Sequence, residues 1–468
     1  MSGDSNPQPK VLSRMVGGTA SETVRCLLIL MGVGLAGTTV VHFAGQMGTT
    51  WCALAGIILA LLIAYAFSEN PGRIRWRTVL GGMALQVGLA MAVLWFQIGE
   101  VKPGRVLFEK IAELVKNLLA FSDEGGRFVF GPLADPAAMG GVFDKKYAFV
   151  FAFQALPVLI FVSALSALLY HLGVLQWVVK ALGFLMRRFM GTSGSETLCA
   201  VANVFLGQTE APLVVKPYIL GMTKSELLAL MAGGMATMSG ALLAVYIDQG
   251  ADAVALMTTS LMAAPCGLYL SKIVIPETEK HTVDPLGPKV GEPGETAPRP
   301  HRNVLEALSA GTSEGLGLAL NIAAMMISFL ALLALLDALV AWLTGGFTLA
   351  SILAEMFRPV AILSGFLPQD AGLAGELLGK KLVANEFVAF SELNGSERFQ
   401  ALTPNGRLLA CFALSGFANL SSIGIQIGGI GAMAPSRRGD LSTLGAKALL
   451  VGFLTTLINA ALAAILWR

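Results

Sequence analysis

Apolar residues run along this chain in long blocks, at roughly Cys26 to Gly45, Cys52 to Phe67, Val79 to Phe96, Tyr147 to Leu169, Thr197 to Leu220, Leu227 to Ile247, Ala253 to Val274, Leu316 to Leu343, Leu373 to Phe390, Leu408 to Ile430 and Leu449 to Leu466. The stretches Cys26 to Phe67, Gly315 to Leu336, Leu408 to Ser436 and Ala448 to Trp467 carry no charge at all. Each is long enough to cross about 30 Å of hydrocarbon as a helix of about 20 residues. Barrel strands alternate polar and apolar positions and do not read this way. The pattern predicts an all-α polytopic membrane protein with about eight spanning helices.

Between the third and fourth blocks, Val106 to Phe121 sets apolar residues at helical spacing, with Glu109, Lys110, Glu113 and Lys116 on the other face. This predicts an amphipathic helix lying along the interface, and Gly173 to Arg188 could do the same. Pro276 to Glu306 is different: ten charged residues and six prolines leave it unable to form a packed core, so a flexible aqueous loop is expected there, dividing the membrane region in two.

Composition agrees. Hydrophobic residues make up 55% of the 468 and charged ones only 13%, against about 25% in a soluble domain. That excludes an ordinary water-soluble protein, and the net charge of +2 gives no reason to invoke nucleic acid. Cys26, Cys52, Cys199, Cys266 and Cys411 lie far apart inside apolar runs, which suits small buried hydrophobes better than a metal site or a disulfide framework. The polar N-terminal residues and the long apolar run after them point to a first membrane helix rather than a signal peptide. Loop charge does not assign topology, because Arg73, Arg75 and Arg77 mark one side as cytoplasmic while Lys102, Arg105, Lys110 and Lys116, one crossing later, mark the other.

Two blocks break the membrane rules. Within Thr197 to Leu220 the run Gly207-Gln208-Thr209-Glu210-Ala211-Pro212 leaves about ten residues, ~15 Å of helix, before it. That is half a membrane, as a re-entrant hairpin requires. Leu373 to Phe390 carries Asn385-Glu386-Phe387 near its end. An apolar helix with a polar interruption follows each: Met235-Ala236-Thr237-Met238-Ser239-Gly240 after the first, Gly416 to Gly424 after the second. A hairpin with a carboxylate followed by a broken helix thus occurs twice in the same order, the repeat pattern of secondary transporters. A carboxylate at membrane depth costs ~2.5–3.5 kcal/mol on insertion scales, so Glu210 and Glu386 face either a functional cavity or a partner such as Lys216, Lys380 or Lys381. Asp337, His42 and His171, near helix ends, read as structural or boundary residues.

The residues Ala202-Asn203-Val204-Phe205-Leu206-Gly207-Gln208-Thr209-Glu210-Ala211-Pro212-Leu213, with Asn385-Glu386-Phe387 and Gly416-Phe417-Ala418-Asn419-Leu420-Ser421-Ser422-Ile423-Gly424-Ile425-Gln426, resemble the bacterial branch of the concentrative nucleoside transporter family. The resemblance runs from about Val79 to the C-terminus. It implies a homotrimer in a bacterial inner membrane, each protomer pairing an oligomerisation scaffold with a mobile domain of two re-entrant hairpins and two discontinuous helices in an inverted-repeat-like arrangement. The implied segments are 1–24, a polar extension; 25–100, N-terminal membrane helices; 101–196, interfacial and scaffold helices; 197–275, the first hairpin and broken helix; 276–306, the aqueous loop; 307–368, a long scaffold helix and interfacial segment; and 369–468, the second hairpin, broken helix and last helix.

By motif position, Gln208, Thr209, Glu210 and Leu242 would meet the nucleobase, and Glu386, Asn419, Ser422 and Phe417 the ribose. The side chains of Asn203 and Thr237 with the carbonyls of Leu206 and Met238 would hold sodium, the coupling ion; no other cofactor is expected. The resemblance implies nucleoside import, with a pyrimidine nucleoside such as uridine or cytidine favoured. The chemistry is consistent: a carboxylate accepts both hydroxyls of a ribose diol, a glutamine offers donor and acceptor to a base edge, and hard sodium favours oxygen ligands. Proton coupling through Glu210 or Glu386 is the alternative. An intramembrane hydrolase using the two carboxylates lacks an accompanying nucleophile or metal cluster.

Overall fold

The structure, a computed structural model, describes residues 20–99, 101–142, 150–279 and 302–467. It is helical throughout; among the described residues the one extended pairing is the single bridge between Ile98 and Val101. Three helices open the chain: α1 (Ala20–His42), α2 (Thr49–Ala66) and α3 (Trp76–Ala90), the last prolonged by a π-turn over Met91–Trp95. Next comes α4 (Pro103–Phe130), the expected interfacial helix but longer than Val106 to Phe121. Pro103 starts it at a position whose N–H would have no partner anyway. Arg105 and Glu109 pair at 2.8 Å one turn apart, and Leu107, Leu114, Phe121 and Phe128 stay exposed, as befits a helix with one face for lipid.

From residue 151 the chain traces the same five parts twice. The first set is α5 (Phe151–His171), α6 (Val174–Met190), a hairpin entered by α7 (Gly194–Ala202), a helix split into α8 (Lys224–Ala236) and α9 (Gly240–Asp248), and α10 (Ala253–Val274). The second is α11 (Val304–Thr344), α12 (Leu349–Leu363), a hairpin of α13 (Ala371–Val383) and α14 (Glu386–Gly395), a helix split into α15 (Pro404–Leu414) and α16 (Leu420–Met433), and α17 (Arg438–Leu466). Among the described residues seven helices are long and apolar enough to cross a membrane, or eight if the pair Leu330–Thr344 and Leu349–Leu363, bent by 91°, counts as one broken span. Helices α8, α10 and α17 are largely apolar and buried over most of their length, the pattern of helices at the centre of a bundle. Polar side chains tie α10 and α17 to each other and to α3: the Tyr269 hydroxyl donates to Gln86 Oε1 at 2.9 Å, Gln86 Nε2 to Asn459 Oδ1 at 2.7 Å, and Asn459 Nδ2 to Thr259 Oγ1 at 3.0 Å. Without a hydrophobic drive between helices in lipid, such bonds and close packing carry the association. All five cysteines are buried and free.

Both hairpins are closed at the base by a threonine that caps the next helix and donates to a carboxylate. Thr223 donates to Glu277 Oε2 at 2.9 Å and Thr403 to Asp370 Oδ2 at 2.6 Å. At the first base Lys272 also bonds Glu196 at 2.5 Å and Glu277 at 3.5 Å, all three buried. The expectation of a flexible loop over Pro276 to Glu306 therefore fails at its margins. Glu277 is locked into the bundle, and Asn303 caps α11 by accepting from the Glu306 N–H at 2.8 Å; residues 280–301 lie outside those described. With that cap α11 begins at Val304, well before the apolar block at Leu316. His42 ends α1 beside Phe43, and His171, buried, ends α5.

Asp337 is structural. Its Oδ1 accepts from the N–H groups of Leu349 at 2.6 Å and Ala350 at 3.4 Å, so a side chain of α11 satisfies the orphan donors that open α12. Asp337→Ala is expected to lower stability by about 1 kcal/mol, the worth of a cap, read as a lowered melting temperature in detergent with uptake retained.

Candidate functional site

The sequence breaks the helices where the residues compel it. At the first hairpin, α7 stops at Ala202 and the chain runs non-helically to Pro212, whose missing N–H and fixed φ suit it to reopen a helix rather than continue one. Glu210 folds back so that its Oε2 accepts the Gly207 N–H at 2.6 Å. At the second, Asn385 caps α14, its Oδ1 accepting from Val388 N at 2.9 Å, which sets Glu386 in the first turn. Ser239 and Asn419 do the same for α9 and α16, accepting from Leu242 N at 3.3 Å and Ser422 N at 2.9 Å.

The two broken helices cross at their breaks. The Phe417 N–H donates to the Thr237 carbonyl at 3.2 Å. Gly416, at φ +113, lies so close to the Ala236 carbonyl that a Cβ built on it would sit 2.7 Å from that oxygen. The first hairpin joins this crossing through its tip, the Phe205 carbonyl accepting from Gly240 N at 3.0 Å.

Around the crossing the structure brings together most of the residues singled out above. Gln208 Nε2 donates to Ser422 Oγ at 3.3 Å, joining a residue expected at the base to one expected at the ribose. Asn419 Nδ2 donates to Glu386 Oε2 at 2.8 Å, while Asn419 Oδ1 accepts from Ser421 Oγ at 2.7 Å. Leu242 and Phe417 are buried beside them. Thr209 faces Gly429 of α16. Among the described residues neither Glu210 nor Glu386 is bonded to a lysine: Lys380 pairs with Glu376 and Glu392 at 2.9 and 2.5 Å, and Lys381 donates to the Ala413 carbonyl and Thr456.

The residues expected at an ion also converge. Asn203 is fully buried and its Oδ1 has no hydrogen-bond partner. Its amide nitrogen reaches Cys199 Sγ at 3.6 Å and lies against Gly233, whose carbonyl accepts the Thr237 hydroxyl at 2.9 Å. Leu206 and Met238 lie in the non-helical stretches, and among the described residues no backbone hydrogen bond ends on either carbonyl. An amide oxygen, a hydroxyl oxygen and two backbone oxygens, all neutral, suit a monovalent hard cation; among the described residues no cluster of His, Cys, Asp and Glu could hold a transition metal.

Two side chains here carry no assigned role in the sequence reading. Gln426, fully buried, donates to Gln208 Oε1 at 3.2 Å and to the Met231 carbonyl at 3.0 Å, fixing which way the Gln208 amide points. The approach requires Gly234, because a Cβ there would meet Gln426 Nε2 at 2.7 Å. Tyr246 stacks on Phe390 at 4.3 Å, and its hydroxyl lies beside Glu386. Gln426 stands inside the motif quoted above, so its amide at membrane depth was a usable signal; an aromatic inside an apolar helix is not. A separate cavity of about 570 Å³ is lined among others by Asp123, Arg127, Asp248 and Asn394.

Comparison with known proteins bears on this geometry. Residues 255–464 fit the family described as the Na+ dependent nucleoside transporter C-terminus, residues 55–133 its N-terminus, and residues 152–253 a nucleoside recognition (gate) family. An uncharacterized transporter of Haemophilus influenzae is 41% identical over 88% of this chain and 96% of its own length. Sodium/nucleoside cotransporter 1 of Sus scrofa is 37% identical over 89% of this chain, which spans 64% of that longer protein. Among solved structures, CNTnw in an inward-facing substrate-bound state superposes with a TM-score of 0.82 at 37% identity, covering 89% of this chain and 98% of that one. A CNTnw variant in an outward-facing state gives 0.81 at 36% identity, over 90% and 98%. The chain belongs to the concentrative nucleoside transporter family, and is a multi-span membrane transporter of nucleosides rather than an enzyme.

Proposed function

We propose that the chain imports nucleosides by symport with sodium, the substrate lying between the two hairpin tips and the two helix breaks. The observation that carries this reading is the Glu386 carboxylate, buried at the crossing and held by the Asn419 amide rather than by a cation. Its remaining lone pairs are free to accept the two hydroxyls of a ribose in charge-assisted bonds, with Ser422 and Phe417 beside the sugar. Gln208, Thr209, Glu210 and Leu242 meet the base, Gln208 offering a donor and an acceptor to a pyrimidine edge. Asn203, Thr237 and the carbonyls of Leu206 and Met238 take the sodium. The ion and the substrate share elements: the hairpin that bears Asn203 bears Gln208 five residues on, and Thr237 O is bonded to Phe417 N. Binding one therefore orders the other, which is the coupling that symport requires.

The segments follow the same reading: helices α5 and α11 with their interfacial companions form the scaffold, and residues 197–275 and 369–468 form the two halves of the mobile domain. The protein assembles as a homotrimer in the bacterial inner membrane, in keeping with the apolar face that α11 leaves exposed at Leu320, Ile327, Leu335 and Trp342. Relatives solved in inward-facing and outward-facing states support movement of that domain against the scaffold.

Purified protein in liposomes is expected to accumulate labelled uridine or cytidine under an inward sodium gradient at fixed pH. A rate indifferent to sodium but driven by a proton gradient would transfer the coupling to protons, and no uptake under either gradient would overturn the proposal. Asn203→Ala removes the unpartnered oxygen and is expected to raise the sodium concentration for half-maximal uptake about tenfold or more, one lost ligand at about 1.4 kcal/mol.

A further inference from the structure

We propose that Gln426 sets the base selectivity of this transporter by fixing the polarity of the Gln208 amide, so that the site accepts one order of donor and acceptor along a nucleobase edge and refuses the reverse. The inference rests on the reading above that places Gln208 at the base, and adds the residue that decides which base it reads.

The order is imposed from the backbone. The Met231 carbonyl on α8 can only accept, and Gln426 Nε2 on α16 donates to it at 3.0 Å. Turning the Gln426 amide over would set oxygen against oxygen, so its nitrogen stays on that side. The same Nε2 gives its second hydrogen to Gln208 Oε1 at 3.2 Å. Turning the Gln208 amide over would in turn set one NH₂ against another. Its own Nε2 therefore points the other way, to Ser422 Oγ at 3.3 Å. Ser422 and Gln426 stand one turn apart on the same face of α16, and they hold the two ends of the Gln208 amide between them. All three side chains are buried.

This arrangement is costly for a residue that only packs. Gln426 is fully buried, and among the described residues its Oε1 has no hydrogen-bond partner. A methionine would occupy the volume without an orphaned oxygen. What the glutamine adds is direction. Ser422, accepting from Gln208, keeps its hydroxyl hydrogen to offer a ribose oxygen, and Gln208 keeps one N–H and one lone pair whose places cannot be exchanged.

Uracil and cytosine differ in that respect. Uracil offers a donor at N3 and an acceptor at O4, whereas cytosine offers an acceptor at N3 and a donor at N4. With the ribose anchored at Glu386 the base cannot slide to compensate. A Gln208 amide that cannot turn over pairs with one of these edges and meets the other donor to donor and acceptor to acceptor. An amide free to turn serves both equally.

The test is sodium-driven uptake of uridine and of cytidine into liposomes, each measured as kcat/KM. The wild type is expected to favour one of the two by about tenfold or more. Gln426→Met frees the Gln208 amide, and the two values are expected to come within about twofold of each other at an unchanged half-maximal sodium concentration. Gln426→Glu, in its protonated form, donates to the Met231 carbonyl but accepts from Gln208, so the preference is expected to invert. Equal uptake of both nucleosides by the wild type overturns the proposal. So does a Gln426→Met variant that keeps the wild-type ratio, even where both rates fall, because that is the behaviour of a packing residue. Where one variant does not elute as the wild-type oligomer, the other variant and the wild-type ratio decide. Gln208→Ala with uptake of both nucleosides unchanged is a distinct failure: it removes Gln208 from the base and overturns the underlying reading together with the proposal.

Discussion

Replacing Glu386 by Gln is expected to weaken uridine binding about 100-fold while leaving the fold and the oligomer as they are. The substituted amide keeps an oxygen that can accept the Asn419 Nδ2 bond, now 2.8 Å long, so the crossing loses no internal partner. What it loses is the negative charge and one acceptor directed at the sugar. Two charge-assisted bonds become at most one neutral bond, and the new N–H₂ faces a hydroxyl or the Tyr246 oxygen as a competing donor. At about 1.5–3 kcal/mol for each bond to a charged group, the loss is about 2.7 kcal/mol, or about 100-fold. Calorimetric titration of the purified variant with uridine in sodium buffer measures this, with size-exclusion chromatography as the control on assembly. Wild-type affinity would remove Glu386 from the ribose site.

Gly416→Ala is expected to act on the architecture itself, abolishing uptake and lowering stability by about 2–4 kcal/mol. Gly416 sits at φ +113, where side chains are rarely accommodated, and an added Cβ would stand 2.7 Å from the Ala236 carbonyl oxygen and 3.0 Å from Thr456 Cγ2. The obstruction is backbone of the other broken helix, which cannot rotate away. The crossing must open, parting Phe417 N from Thr237 O and drawing Met238 and Asn203 out of register. Thermal unfolding in detergent and sodium-driven uptake would both report it. A variant with wild-type melting and uptake would show that the crossing is not held by this contact. The contrast with Glu386→Gln is informative, because one change empties a site that remains built and the other dismantles it.

Much of this architecture was legible because membranes impose strict rules. Long apolar blocks located the spanning helices to within a few residues, as at Ala253–Val274, and the Gly207 to Pro212 run marked the first hairpin, since polar, helix-breaking backbone survives at that depth only beside protein or a cavity. Boundaries set by capping were less visible. α11 begins at Val304 and α4 ends at Phe130 because of Asn303 and local amphipathy, neither of which an apolar count registers. Glu277 looked like part of a charged loop, yet burial against Thr223 and Lys272 makes it the latch of a hairpin base; a charge run in sequence does not reveal which member finds a partner. Gln426 and Tyr246 were present in the residues read, but their relation to Gln208 and Glu386 arises from segments some 140 to 220 positions apart.

By itself, then, the sequence determined the medium, the all-helical class, the twofold order of hairpin and broken helix, and the few polar residues left at membrane depth, because each follows from the cost of placing polar groups in hydrocarbon along one stretch of chain. The tertiary structure decided the rest: that the two breaks cross with Gly416 on Ala236, that Asn419 rather than a lysine holds Glu386, that the Asn203 oxygen is left without a partner, and that Lys381 caps a helix end instead of neutralising a carboxylate. Those outcomes depend on which distant segments meet, and a hydrogen bond's partner is fixed by distance in space, which no local pattern encodes.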